Sequence, residues 1–316
     1  MKKIAFLFPG QGSQKVGMGQ DLAETDPDAG NIFFTADRVT GLPISRLCFE
    51  GPMTELTQTV NLQPAITAVN LAFLSAVEKA GIQPWVCAGH SLGEYSALCA
   101  AGVVSMEDCI RLVFKRGELM HREATGHQGA MSAVVGLAID QVSAIVEESS
   151  HAGIVAVANH NSAGQIVITG APEAVAAAGE AAVALGAKAI ALKVSGAWHS
   201  PLIKGAEKDF EAFLEGVTFN APQCAVIHNV TAGLESDPRR IKALMARQLC
   251  NPVRWYDSVL KMLDDRVDVF VEIGPGRVLT GLLKKIMPAA DSKARVYNVF
   301  DLKTLESFIQ AEKGAG

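Results

Sequence analysis

The stretch Val86-Cys87-Ala88-Gly89-His90-Ser91-Leu92-Gly93-Glu94-Tyr95-Ser96-Ala97-Leu98 decides how this chain is read. It opens as a short apolar run suited to a buried strand, passes through Gly-x-Ser-x-Gly, and leaves as an Ala- and Leu-rich segment compatible with a helix. That outline predicts a nucleophile elbow, a sharp strand-to-helix turn that lifts a serine out of a parallel sheet. The glycines are needed where neighbouring backbone leaves no room for a Cβ. The free N–H groups at the start of the following helix face the serine, where negative charge can develop. Ser91 is the candidate nucleophile. In a chain with 29 Gly, the same five residues also fit an ordinary tight turn.

Working outward, Met1-Lys2-Lys3 followed by Ile4-Ala5-Phe6-Leu7-Phe8 imitates a signal peptide. The apolar run is too short and stops at Pro9-Gly10, so it reads as a first buried strand. The loop Pro9-Gly10-Gln11-Gly12-Ser13-Gln14 has glycines that admit a ligand to the backbone, but it lacks the spacing and the Lys of a phosphate-binding loop. Leu62-Gln63-Pro64-Ala65 opens a helix that Gly81 and Pro84 end. Its apolar run is interrupted by Asn61, Gln63, Thr67 and Asn70, which argues against a membrane span. Ser105-Met106-Glu107-Asp108 reads as a capping box with Asp108 at its third helical position. The helix it starts carries Arg116, a residue type that on a helix usually faces water.

Residues 129–194 have a different texture. Ala130-Val135 alternates as a strand and Asp140-Ser150 is helical. Ile154-Ala158 and Gln165-Thr169 are strands joined by a polar turn over His160-Asn161-Ser162-Ala163-Gly164. Pro172-Leu185 is an Ala-rich helix and Lys188-Val194 a last strand. This β-α-β-β-α-β order is the ferredoxin-like plan. It is read as a small subdomain, residues 129–194, inserted into a large α/β-hydrolase-like domain with a parallel sheet, residues 1–128 and 195–316. The chain crosses back through Ser195-Gly196-Ala197-Trp198-His199-Ser200-Pro201, so His199 stands on the cleft wall; a lone His before a helix is more often structural. Farther on, the strand Val267-Glu272 runs into Ile273-Gly274-Pro275-Gly276, a loop at the carboxyl edge of the sheet, where ligands bind. Residues 312–316 are expected to fray.

With 316 residues the chain can bury a sizeable core. A net charge of -5 gives no general attraction for nucleic acid or acidic membrane. The six cysteines Cys48, Cys87, Cys99, Cys109, Cys224 and Cys250 form no C-x-x-C pair and read as reduced residues of a cytoplasmic protein. The seven histidines have no metal-ligand spacing, so no metal is expected.

Taken together, Pro9–Gln14, Gln63-Pro64-Ala65, Gly89–Leu98, Lys115-Arg116-Gly117, Asn161-Ser162 with Gly164-Gln165, Gly196–Pro201, Gln248 with Asn251–Trp255, and Glu272–Gly276 resemble the malonyl-CoA:acyl carrier protein transacylases of the acyltransferase-domain family. The matches span nearly the whole chain in the family's order. The resemblance implies transfer of a malonyl group from malonyl-CoA to the phosphopantetheine thiol of acyl carrier protein, through a malonyl-serine ester, for fatty acid or polyketide synthesis. It implies Ser91 as nucleophile and His199 as base, with main-chain carbonyls near Gln248 orienting the imidazole. The backbone N–H groups of Gln11 and Leu92 would form the oxyanion hole. Arg116 would clamp the malonyl carboxylate, and Gln11, Gln63, Asn161 and Trp198 would line the substrate site. Trp198 replaces the Phe common at this position in malonyl-specific members; it should still crowd an α-methyl group. Glu94 either orients the elbow, caps its helix or is solvated. No cofactor is implied, and a monomer is expected. Lys188, Lys193, Lys284 and Lys285 are candidate docking charges for the acidic carrier. The competing readings are a hydrolase on a related core and a non-catalytic scaffold. A conventional α/β-hydrolase has its His near the C-terminus, and an editing hydrolase would lack Arg116.

Overall fold

The computed structural model describes residues 2–194, 196–287 and 294–314. Met1, Ser195 of the expected crossing, and Ala315 and Gly316 of the expected frayed end lie outside them. Nine strands, β1 (Ile4–Phe8), β2 (Val86–Gly89), β3 (Ala130–Val135), β4 (Val155–Ser162), β5 (Gln165–Gly170), β6 (Lys188–Ala191), β7 (Ala225–Ile227), β8 (Val269–Ile273) and β9 (Arg295–Val299), form two sheets among the described residues.

The first sheet has the order β7-β2-β1-β8-β9, and all its pairs are parallel. A parallel sheet must be covered on both faces, and β1 shows how the sequence meets that demand. Phe6 and Phe8 point into one core with helices Thr59–Lys79 and Met106–Gly126, while Ala5 and Leu7 point into another with Trp255, Val259, Leu279 and Leu283. All five β1 residues are buried. The second sheet is antiparallel, in the order β4-β5-β3-β6, with helices Ile139–Ser149 and Pro172–Ala184 packed on it through Val142, Ile145, Val175 and Ala178. The expected α/β class, a parallel sheet plus a ferredoxin-like unit, is what the chain adopts.

Four local expectations are corrected. Helix Thr59–Lys79 begins before Leu62, because Gln58 takes the extended N-cap conformation; Pro64 lies inside it and supplies no N–H to the ladder. Its far end does close as expected, with Gly81 at φ 83 and bonds Gly81 N–H to Glu78 O and Ile82 N–H to Val77 O. This helix is long and apolar enough to cross a bilayer, yet 78% of its apolar window is buried inside the protein. His160, Asn161 and Ser162 belong to β4, not to a turn, leaving only Ala163 and Gly164 to connect it to β5. The strand continues here because its second edge is also paired: Asn159 bridges Val253, and His160 N–H donates to Val253 O at 2.9 Å. β6 stops at Ala191, after which Leu192 N–H makes one more bond to Met131 O. Finally, Glu312 is not frayed: helix Leu302–Lys313 includes it, and it pairs with Lys2 and Arg295.

Candidate active site

The elbow forms because three glycines let backbone meet backbone. A Cβ on Gly89 would lie 2.0 Å from the Gly93 carbonyl carbon, and one on Gly93 would lie 2.0 Å from Phe8 O. Between them Ser91 takes a φ of 52, in the left-handed region that a side chain rarely adopts. A Cβ on Gly10 would lie 2.6 Å from His90 O, so the loop after β1 rests directly on the elbow. This contact brings Gln11 to the same cavity as Ser91 and Leu92. The N–H groups of Gln11 and Leu92 have no acceptor among the described residues. Two free donors beside a serine suit an oxyanion.

His199 also has a positive φ, 60, and faces Ser91: its Nε2 is 2.7 Å from Ser91 Oγ. Its Nδ1 lies 2.9 Å from Gln248 O and 3.1 Å from Asn251 O. Both are carbonyl acceptors, so the proton sits on Nδ1 and the Nε2 lone pair is turned toward the serine hydroxyl. Burial, reinforced by the Arg116 charge, pushes the His199 pKa down to about 3. The imidazole is therefore neutral at physiological pH, as a base must be.

Arg116 leaves helix Met106–Gly126 on its buried side and is only 2% exposed, contrary to the usual fate of a helical Arg. Its Nη1 donates to Gln63 Oε1 at 3.0 Å. Its Nη2 donates to Gln248 Oε1 at 3.2 Å and to Ser91 Oγ at 3.1 Å. Nε has no partner among the described residues, and no carboxylate pairs with the guanidinium there. A buried cation held only by neutral groups, touching the nucleophile, is a receptor for an anion. The 110 Å³ cavity here is lined by Gln11, Ser91, Leu92, Arg116, Trp198 and His199 among others. A larger groove beside Phe219 and Lys242 has no Ser, Cys or His in its lining.

A model of the acyl transferase domain family matches residues 5–300. The chain is 42% identical over 315 residues to the malonyl CoA-acyl carrier protein transacylase of Bacillus subtilis, covering 99% of this chain and 98% of that one. The chain belongs to this family. Among solved structures, it resembles an acyl carrier protein S-malonyltransferase from Vibrio cholerae at a TM-score of 0.92 and 41% identity, covering 97% of this chain and 100% of that one. It also resembles a malonyl-transacylase solved in complex with its type II polyketide synthase acyl-carrier protein, at a TM-score of 0.93 and 39% identity, with coverage of 98% and 100%.

Within this acyl transferase fold, the remaining site residues divide into two layers. Trp198 lines the cavity, its ring packed against Gly196, where a Cβ would lie 2.7 Å away. Gln63 is fully buried behind Arg116, and Asn161 Oδ1 accepts from His90 Nε2 at 2.8 Å; neither lines the cavity. Gln248 offers its carbonyl to His199, as expected, and in addition its side chain reaches Arg116, Ser91 O and Glu94. Sequence reasoning missed His90, His228 and Asn229. Asn229 Oδ1 accepts from Ser91 N–H at 2.7 Å and its Nδ2 donates to Gly89 O at 2.6 Å, clipping the elbow from both sides. The only signal for it was a polar pair, His228-Asn229, directly after the apolar run of β7.

Proposed function

We propose that this acyltransferase moves a malonyl group from malonyl-CoA to the phosphopantetheine thiol of acyl carrier protein, supplying fatty acid synthesis. The observation that carries the reading is one oxygen, Ser91 Oγ, held 2.7 Å from a neutral imidazole and 3.1 Å from a buried guanidinium that lacks a carboxylate partner. In the first half-reaction Ser91 Oγ gives its proton to His199 Nε2 and bonds to the thioester carbonyl carbon. The carbonyl oxygen takes the negative charge and is met by the N–H groups of Gln11 and Leu92. The C–S bond then breaks, and His199 returns the proton to the departing CoA thiolate. In the second half the carrier thiol loses its proton to His199 and attacks the ester, and Ser91 leaves with that proton. Arg116 grips the distal carboxylate in both halves, which is what distinguishes malonyl from acetyl.

Among the described residues no Asp or Glu hydrogen-bonds to His199; the Gln248 and Asn251 carbonyls orient it instead, which fits a two-residue Ser–His machine. We further read the protein as a cytoplasmic monomer with free cysteines and no resident cofactor or metal. Lys188, Lys193, Lys284 and Lys285 are proposed to attract the acidic carrier, with residues 129–194 as one wall of the cleft. The test is intact-mass analysis after incubation with malonyl-CoA, followed by addition of carrier protein. Wild type should form one malonyl adduct and pass it to the carrier, and Ser91→Ala should form none. An undiminished adduct on Ser91→Ala, or release of free malonate with no malonyl-carrier, would refute the reading.

A further inference from the structure

Glu94 lies in the first turn of helix Gly93–Ala100, where a carboxylate ordinarily faces water or caps the helix. Here it is 1% exposed and does neither. Oε1 is 2.9 Å from His228 Nδ1 and accepts from Asn229 N–H at 3.3 Å. Oε2 accepts from Gln248 Nε2 at 2.8 Å. The same Nε2 donates to Ser91 O at 2.8 Å, while Gln248 Oε1 accepts from Arg116 Nη2.

A carboxamide has nearly the same shape when turned over, so only its partners fix which end points where. Turned over, Gln248 would set its NH2 against the Arg116 N–H groups and its oxygen against two acceptors. An ionised carboxylate is acceptor-only and forbids this. It also places a negative charge one amide away from the buried guanidinium, close enough to compensate it and too far to occupy its fork. We propose that Glu94 is a positioning residue for acyl-group selectivity: through Gln248 it aims Arg116 at the nucleophile while leaving the guanidinium open to the carboxylate of the incoming acyl group. The inference rests on the malonyl-transfer reading above.

Glu94→Gln is the sharp probe. His228 and Asn229 hold the amide oxygen at the Oε1 position, so the new NH2 faces Gln248 Nε2, donor against donor, and displaces the Gln248 amide. Both rates should fall, because the displaced amide also holds Ser91 O, but kcat/KM for malonyl-CoA should fall further than that for acetyl-CoA, lowering the malonyl-to-acetyl ratio by about tenfold, within the range of coupled neighbours. Gln248→Ala should lower the ratio too, and adding Glu94→Gln to it should lower it no further. If Glu94→Gln does not fold, Glu94→Asp, which draws the carboxylate back from Gln248, takes its place in the same cycle. Equal losses for both substrates, an unchanged ratio, or effects of the two substitutions that multiply would each overturn the proposal. Wild type without any malonyl preference would instead remove the function proposed above, so the two failures are distinguishable.

Discussion

Lowering the pH should destabilise this protein through His199 in a way that can be isolated. The side chain is buried and its pKa is pushed from the ordinary 6.5 down to about 3, by burial first and the Arg116 charge second. Between those values the unfolded chain binds a proton that the folded chain refuses, so stability is full above pH 6.5 and falls as pH falls toward 3. The slope is about 1.4 kcal/mol per pH unit, which amounts to roughly 2 kcal/mol lost between pH 8 and pH 5. Other groups titrate in the same range; half-buried Glu78 and buried Glu272, with raised pKa values, act in the opposite sense. The comparison is therefore with His199→Asn, whose amide can still donate to the Gln248 and Asn251 carbonyls but does not titrate. Urea unfolding of both proteins at several pH values should show the wild type losing about 2 kcal/mol relative to the variant between pH 8 and pH 5. Parallel pH dependences would show that the imidazole is not held neutral, and the account of the base would fall with them. The rate should agree: the acid limb of malonyl-enzyme formation should lie well below pH 6.5.

Arg116→Ala should lower kcat/KM for malonyl-CoA by about 2 to 5 kcal/mol, roughly 30-fold to several thousand-fold, with little loss for acetyl-CoA. Equal changes for the two thioesters would contradict the clamp. Gly93→Ala should destabilise the fold by at least ~3 kcal/mol, the upper end of overpacking costs, because the new Cβ meets Phe8 O at 2.0 Å. Gly281→Ala, in a helix with nothing within 4 Å, should instead stabilise it by about 0.5–1 kcal/mol, and denaturation midpoints moving together would sink the steric argument.

What was legible in the sequence was whatever is written locally. The β1 run, the elbow glycines and the strand-helix alternation of residues 129–194 each carry their period or turn chemistry within a few residues, and the elements appear in the expected order, with β4 longer and β6 shorter than expected. The chemistry was legible only as a set. On its own residue type, Arg116 reads as solvated and His199 as structural, and it was their joint resemblance to a family that raised both. His228 and Asn229 escaped, and Glu94 stayed open between orienting the elbow, capping and solvation, because their meaning lies in contacts between residues 134 and 140 positions apart, which no local pattern encodes. The polar run His160–Ser162 was misread as a turn for the same reason: its partner is the backbone at Val253.

The distribution of strain gives an independent argument that these residues form one machine. Among the described residues only Ser91, His199, Ala232 and Arg266 are non-glycine residues with positive φ. Each costs about 1–2 kcal/mol, and such conformations persist only where the surroundings over-determine them. Ser91 and His199 come from segments 108 positions apart, yet they meet at 2.7 Å. Both are also pinned: Ser91 by Asn229 at its N–H and Gln248 at its carbonyl, and His199 by two carbonyls at Nδ1. Gln248 takes part in both restraints and also accepts from Arg116. Packing alone has no need to hold two distant residues in unfavourable backbone conformations through one shared glutamine. A reaction that requires a hydroxyl, an imidazole and a cation at fixed mutual distances does.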